Sequence, residues 1–138
     1  MTDPTNADLI TRAAAVVNPR KVGDYLVGDV GAALLTDQGR VYTGVCIDAA
    51  SGMGFCAEHS AIAAMVTAGE FKIKRIVAVW KDATDTYVLA PCGRCREFIR
   101  QLHPDNLETE VILGQGEVLR LANLLPMAGR FQKLEGRE

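Results

Sequence analysis

Apolar positions along this chain alternate between a helical and a strand-like rhythm. Leu9, Ile10, Ala13, Ala14 and Val17 recur at helical spacing after a polar start, and Pro19 ends that helix. A glycine-punctuated loop through Gly23 and Gly28 follows. The apolar runs 30–36 and 40–47, separated by Asp37-Gln38-Gly39, predict a hairpin. A loop over 49–55 leads into a second helix opened by Cys56. Ala57, Ala61, Ala64, Met65 and Ala68 share one face of it, and Gly69 stops it. Runs 73–80 and 87–90 read as strands flanking a polar break, and Pro91 leads into a third helix with Cys95, Phe98, Ile99 and Leu102, ending near Pro104. Residues 109–113 predict a fifth strand and 118–126 a short helix.

This order, α–β–β–α–β–β–α–β, predicts an α/β fold in which a mixed five-stranded sheet is buried between helices. Residues 1–138 contain no repeat or low-complexity linker and read as a single domain. With 49% hydrophobic and 23% charged residues, the chain can supply an ordinary core. Fifteen basic against seventeen acidic residues leave a net charge of −2, and no basic stripe appears. That excludes the electrostatic footprint of a polymeric nucleic-acid binder and favours a small-molecule substrate. No apolar run spans a bilayer and the start carries no secretory pattern, so a cytoplasmic location without membrane attachment is expected. In that reducing setting Cys46, Cys56, Cys92 and Cys95 pose a metal or catalytic question, not a disulfide one.

Cys56 opens one helix, while Cys92 and Cys95 bracket the start of another. Thiolates there are favoured by the positive helix end, and zinc accepts sulfur ligands with a fourth position for water. Cys46, on a strand, reads as core or pocket lining. Glu58, two residues after Cys56, is placed to reach water beside the metal without binding it. A fourth ligand, Cys46 or His59, would instead make the zinc structural and leave Glu58 without a task.

Cys56-Ala57-Glu58 and Pro91-Cys92-Gly93-Arg94-Cys95-Arg96, backed by residues 30–45 and the Leu-Leu-Pro at 124–126, resemble the zinc-dependent cytidine deaminase family. Several stretches, including Leu102-His103-Pro104, are similar to its blasticidin S deaminases. The resemblance implies a three-layer α/β/α fold, a Zn²⁺ held by Cys56, Cys92 and Cys95, and hydrolytic deamination of cytidine or deoxycytidine to the uracil compound plus ammonia. Glu58 would carry the water proton to ring N3, and a further proton transfer to the amine would let ammonia leave. The Ala57 amide would hold the pyrimidine O2, and the Ala90–Pro91 turn would face the amino group. His59 stands where many relatives carry arginine, and reads either as a donor to a thiolate or as a packing residue.

The pattern also departs from the family. Cys46 and Asp48 occupy the positions of an Asn-x-Glu that grips ribose, and Gly28 that of an aromatic packing near the pyrimidine; Tyr25 compensates only if its loop folds back. Among blasticidin S deaminases, residues matching Arg94 and Phe131 approach the substrate carboxylate. The family resemblance further implies a homotetramer with shared active sites. Rival readings are a structural zinc module and a nucleic-acid-editing subunit, the latter opposed by the acidic balance.

Overall fold

A computed structural model describes residues 2–136. Helix α1 (Asn6–Val16) begins with a reciprocal cap: the Asp8 amide donates to Thr5 Oγ1 at 3.1 Å, and the Thr5 amide to Asp8 Oδ2 at 2.8 Å. The strands are β1 (Arg20–Val22), β2 (Tyr25–Thr36), β3 (Val41–Asp48), β4 (Ile73–Lys81), β5 (Thr86–Leu89), β6 (Glu110–Gly114) and β7 (Glu117–Arg120). Helices α2 (Ala57–Thr67), α3 (Gly93–Leu102) and α4 (Leu121–Leu124), with a 3-10 turn at Pro104–Glu108, complete the described chain.

All five expected strands are present, and the sheet is mixed: β4 pairs in parallel with β6 and antiparallel with β2 and β5. Two short strands raise the total to seven. The first, β1, forms inside the expected loop, folding through Gly23–Asp24 so that Val22 faces Tyr25. It is exposed along its whole length, so no hydrophobic alternation marks it. The second, β7, takes the front half of the expected 118–126 helix, which shrinks to the single turn of α4. The chain reverses after Gly114, and pairing of Val118 with Ile112 and Leu119 with Val111 outweighs helical propensity.

Alternate residues of β2 and β4 feed two cores. Leu34, Ile76 and Ala78 join Ile62 and Met65 of α2, Ile99 of α3 and Leu121 of α4 on one face. Ala33, Leu35, Val77 and Val79 meet Leu9 and Ala13 of α1 on the other. Helices therefore cover both faces of the sheet, as expected. The buried side of α2 is rotated from the alanine stripe: Ala64 and Ala68 are exposed, while Glu58 and Ile62 are buried. Ile62 and Met65 bury far more apolar surface than alanines and decide the orientation.

Helix α2 lies close on β3. A Cβ at Gly44 would sit 2.4 Å from the Ala61 nitrogen, so only glycine permits this approach. The Ser60 hydroxyl donates to the Val45 carbonyl at 2.7 Å, fixing the helix along the strand. Asn106, buried beneath α3, accepts from the Ile73 amide at 2.9 Å and donates to the Phe71 and Ile99 carbonyls at 3.0 Å each. It ties the end of α3 to the start of β4. His103, of the Leu-His-Pro stretch, caps the 3-10 turn by accepting from the Asp105 amide at 3.0 Å.

Candidate active site

Two helix starts converge at one end of the sheet. Before α2, residues 49–55 fold back on β3, where Ile47 and Phe55 exchange backbone hydrogen bonds of 3.0 and 2.9 Å. That closure delivers Cys56 as the N-cap of α2. Cys92 is the N-cap of α3, and Cys95 sits in its first turn. Arg96 holds the α3 entrance, donating to the Pro91 carbonyl at 2.8 Å and the Leu124 carbonyl at 2.9 Å. The Leu-Leu-Pro stretch is thereby tied to the cysteine turn.

The Sγ atoms of Cys56 and Cys92 lie 3.6 Å apart, and those of Cys92 and Cys95 3.5 Å apart. Sulfur ligands on a tetrahedral zinc, at about 2.3 Å from the metal, are separated by about 3.8 Å. Both measured pairs match zinc spacing, and the Cys56 and Cys95 sulfurs lie within 4.8 Å of each other, so the three thiols suit one zinc. His59 also belongs to this cluster, a ring nitrogen lying within 4.8 Å of the Cys56 and Cys95 sulfurs. Its Nδ1 is 3.4 Å from Cys95 Sγ, and its ring stacks on Phe98 at 4.2 Å between centroids, tilted 12°. Cys46 stands outside the cluster; its sulfur accepts from the Val30 amide at 3.3 Å.

Burial, set against helix-end amides, sorts the titratable groups. Burial pushes the Cys56 and Cys95 thiols above the usual range, the nearby Glu58 charge adding to both. Burial also opposes ionisation of Cys92, but the Cys95 amide and neighbouring thiols, with the Arg94 amide, bring it down. The helix-end lowering expected for all three thiols is thus realised at Cys92 alone, the most exposed of them. A bound cation would reverse the penalty at the other two. Burial lifts Glu58, which is only 4% exposed, above an ordinary glutamate. Burial, then the charge of Arg94, lowers His59, keeping its ring neutral at neutral pH.

A cavity of about 660 Å³ opens from this cluster, within the size range of small-molecule sites. Of the expected site residues, Cys46, Asp48, Cys56, Ala57, Glu58, Ala90, Cys92 and Arg94 line it. Arg94 donates one guanidinium nitrogen to the Gly54 carbonyl at 3.1 Å, pinning the loop over the cavity. Cys95 is fully buried behind the wall. Pro91 lines a narrow crevice beneath it, where Glu58 also reaches. Phe131 is 92% exposed on the tail and does not reach the cavity of its own chain.

Residues 5–110 match the family model described as the cytidine and deoxycytidylate deaminase zinc-binding region. The chain belongs to this family. It is 36% identical over 104 residues to a cytidine deaminase from Halalkalibacterium halodurans, covering 72% of this chain and 75% of that one. To a blasticidin-S deaminase from Bacillus cereus it is 40% identical over 82 residues, or 55% of this chain and 59% of that protein. Another curated relative is matched over only 46% of its length. A crystal structure of cytidine deaminase from Burkholderia pseudomallei superposes with a TM-score of 0.72 at 32% identity, covering 90% of this chain and 98% of the other. No helix among the described residues is long and apolar enough to cross a membrane.

Within this deaminase fold, the aromatic missing at Gly28 is not replaced by Tyr25, which is exposed and lies outside the cavity wall. Gly28 adopts φ +86°, and a Cβ there would lie 2.2 Å from the Asn18 carbonyl oxygen, so no aromatic fits. Trp80, the chain's only tryptophan, lines the cavity from β4 instead and stacks on Tyr87 at 5.1 Å. Asp29 also lines it. Sequence reasoning missed both. Trp80 was legible only as the end of an apolar strand, and Asp29 lies directly before the Val-Gly that opens the expected strand.

Proposed function

We propose that this chain is a zinc-dependent hydrolase that exchanges the exocyclic amine of cytidine or deoxycytidine for a carbonyl oxygen. The observation that carries this reading is Glu58: a carboxyl nearly removed from solvent, lining a small-molecule cavity beside three closely spaced thiols. Cys56, Cys92 and Cys95 would hold the zinc. Bound there, the metal supplies activation of water at neutral pH.

Glu58 does the proton work. Its raised pKa brings it nearer neutrality, where a carboxyl both accepts and returns a proton efficiently. It takes a proton from the attacking water and delivers it to N3, which makes C4 more electrophilic. A second transfer, from the new C4 hydroxyl to the amine, releases ammonia as the C4–N bond breaks and the carbonyl forms. One water is consumed and one ammonia leaves. Ala57 is the first residue of α2, and the amides of a first helical turn lack helical acceptors, so its N–H is available to the ring O2. The Ala90 carbonyl and Pro91 turn, beside Cys92, would face the departing amine. Cys46 and Asp48, farther along β3, would lie toward the sugar.

His59 favours a second reading. Its nitrogen lies near enough to the sulfurs to complete a Cys₃His structural site. The stack on Phe98 and the neutral ring equally suit a histidine that donates to the Cys95 sulfur and eases the electron-rich thiolate set. Cobalt-substituted protein separates the two: a spectrum that responds to a cavity ligand supports an open position, and an unresponsive one supports the structural site. The exposed tail, with Phe131 and Leu134, suits a homotetramer in which a neighbour's aromatic completes each pocket.

The test is loss of the cytosine ultraviolet band with cytidine, deoxycytidine, free cytosine and blasticidin S in parallel. Turnover of the simple nucleosides supports the reading. Turnover of blasticidin S alone would transfer Arg94 and Phe131 to an aminoacyl nucleoside. Silence on all four would overturn these substrates and point to a modified cytosine or a different ring.

A further inference from the structure

The cavity wall combines two kinds of group. The thiols, Ala57 and Glu58 share it with Trp80 from β4 and the acidic residues Asp29 and Asp48. The strand register sets Trp80 opposite Val30, next to Asp29, and Asp48 opposite Leu26. Asp29 lies in the stretch where the β2–β3 register breaks, between Val27 and Gly31. The Val30 amide within that break donates to the Cys46 sulfur at 3.3 Å. Irregularities of this kind redirect side chains beside active sites. Gly28, the only residue type its space and positive φ admit, begins the irregular stretch. The side chains of Asp29 and Asp48 have no hydrogen-bond or ion-pair partner among the described residues, whereas Arg94 already holds the Gly54 carbonyl.

Resting on the deaminase reading, we infer that Asp29 is a specificity-determining residue: with Asp48 it accepts hydrogen bonds from the hydroxyls of a neutral nucleoside sugar and disfavours a 5′-phosphorylated cytosine nucleotide. Two carboxylates in one wall offer acceptors, so they call for a ligand that brings donors. A sugar with free hydroxyls does so. A phosphate brings like charge into the same confined mouth and is repelled. Trp80, paired across the sheet with Val30 next to Asp29, offers a flat apolar face to the carbon face of a sugar. The choice matters because the family spans enzymes of both cytidine and deoxycytidylate.

Steady-state kinetics on the zinc-loaded full chain test this, with cytidine and cytidine 5′-monophosphate as substrates and Asp29→Ala and Asp29→Asn as variants. The wild type is expected to favour cytidine by at least about 100-fold in kcat/KM. Asp29→Ala should raise the cytidine KM about tenfold, by more than any fall in kcat, as expected for a lost binding contact. Asp29→Asn, which keeps the shape and removes the charge, should narrow the preference over the nucleotide about tenfold. Zinc content and melting temperature identify any variant that has simply misfolded. A cytidine KM unmoved in both folded variants, or equal wild-type use of the two substrates, would overturn this inference and leave the deaminase reading intact. No turnover of any cytosine compound by the wild type would overturn both.

Discussion

Replacing Glu58 by glutamine isolates the proton carrier from everything around it. The amide has nearly the volume of the carboxyl, and at 4% exposure the side chain is held by its surroundings, so packing of α2 should survive. The Cys56 N-cap and the Cys92–Cys95 turn are set by backbone closure at Phe55 and by Arg96, neither of which depends on Glu58. Removing the Glu58 charge also removes a source of the raised Cys95 and Cys56 pKa values, so zinc should bind at least as well. Catalysis should not survive. Proton transfer by a positioned group contributes about 10²- to 10⁴-fold, and Glu58 serves more than one transfer, so the loss should approach 10⁴-fold, or roughly 5 kcal/mol. Loss of the cytosine absorbance measures turnover, and metal analysis of the same preparation measures zinc. Activity within tenfold of wild type at full zinc occupancy would refute the role. Loss of zinc from the variant would instead make Glu58 a support of the cluster.

Three other outcomes follow from the same geometry. Asn106→Ala breaks three hydrogen bonds, two of them buried, and leaves backbone groups unpaired, so stability should fall by roughly 2–4 kcal/mol; a denaturant midpoint that does not move would contradict this. Gly44→Ala forces α2 away from β3 and should cost about 1–3 kcal/mol, with weaker zinc retention because Cys56 rides on that helix; thermal melts with zinc analysis read both effects. Chelation should lower the melting temperature by on the order of 10 °C, because the thiols are brought together only in the folded chain. Restoring zinc should reverse the shift, and an unchanged melt would deny the metal a place in the fold.

Much of this molecule can be read in its residues, for identifiable reasons. The hairpin of β2 and β3 and the helices starting at Cys56 and Cys92 announce themselves through period, glycine and proline. The thiol cluster is legible because its cysteines sit at helix starts, which spacing locates. What escapes is decided by backbone geometry or by distant pairing. Asp29 lines the cavity from a break in register that no hydrophobic pattern encodes. Trp80 looks like the end of a core strand until its neighbours place it at the cavity wall. β7 becomes a strand through its partner β6, and the buried face of α2 follows Ile62 and Met65 where the alanines alone suggest another. Phe131 belongs to a tail whose contacts do not lie within its own chain's cavity.

On the proposed reading, a metal held by Cys56, Cys92 and Cys95 drives hydrolytic loss of ammonia from a cytosine nucleoside. Ammonia release from cytidine, followed on samples of graded and measured zinc content, tests it most directly. Release should rise in proportion to bound zinc and level off at one zinc per chain, with one ammonia formed per uridine. Full release from zinc-free protein, or none from protein carrying one zinc per chain, would contradict it.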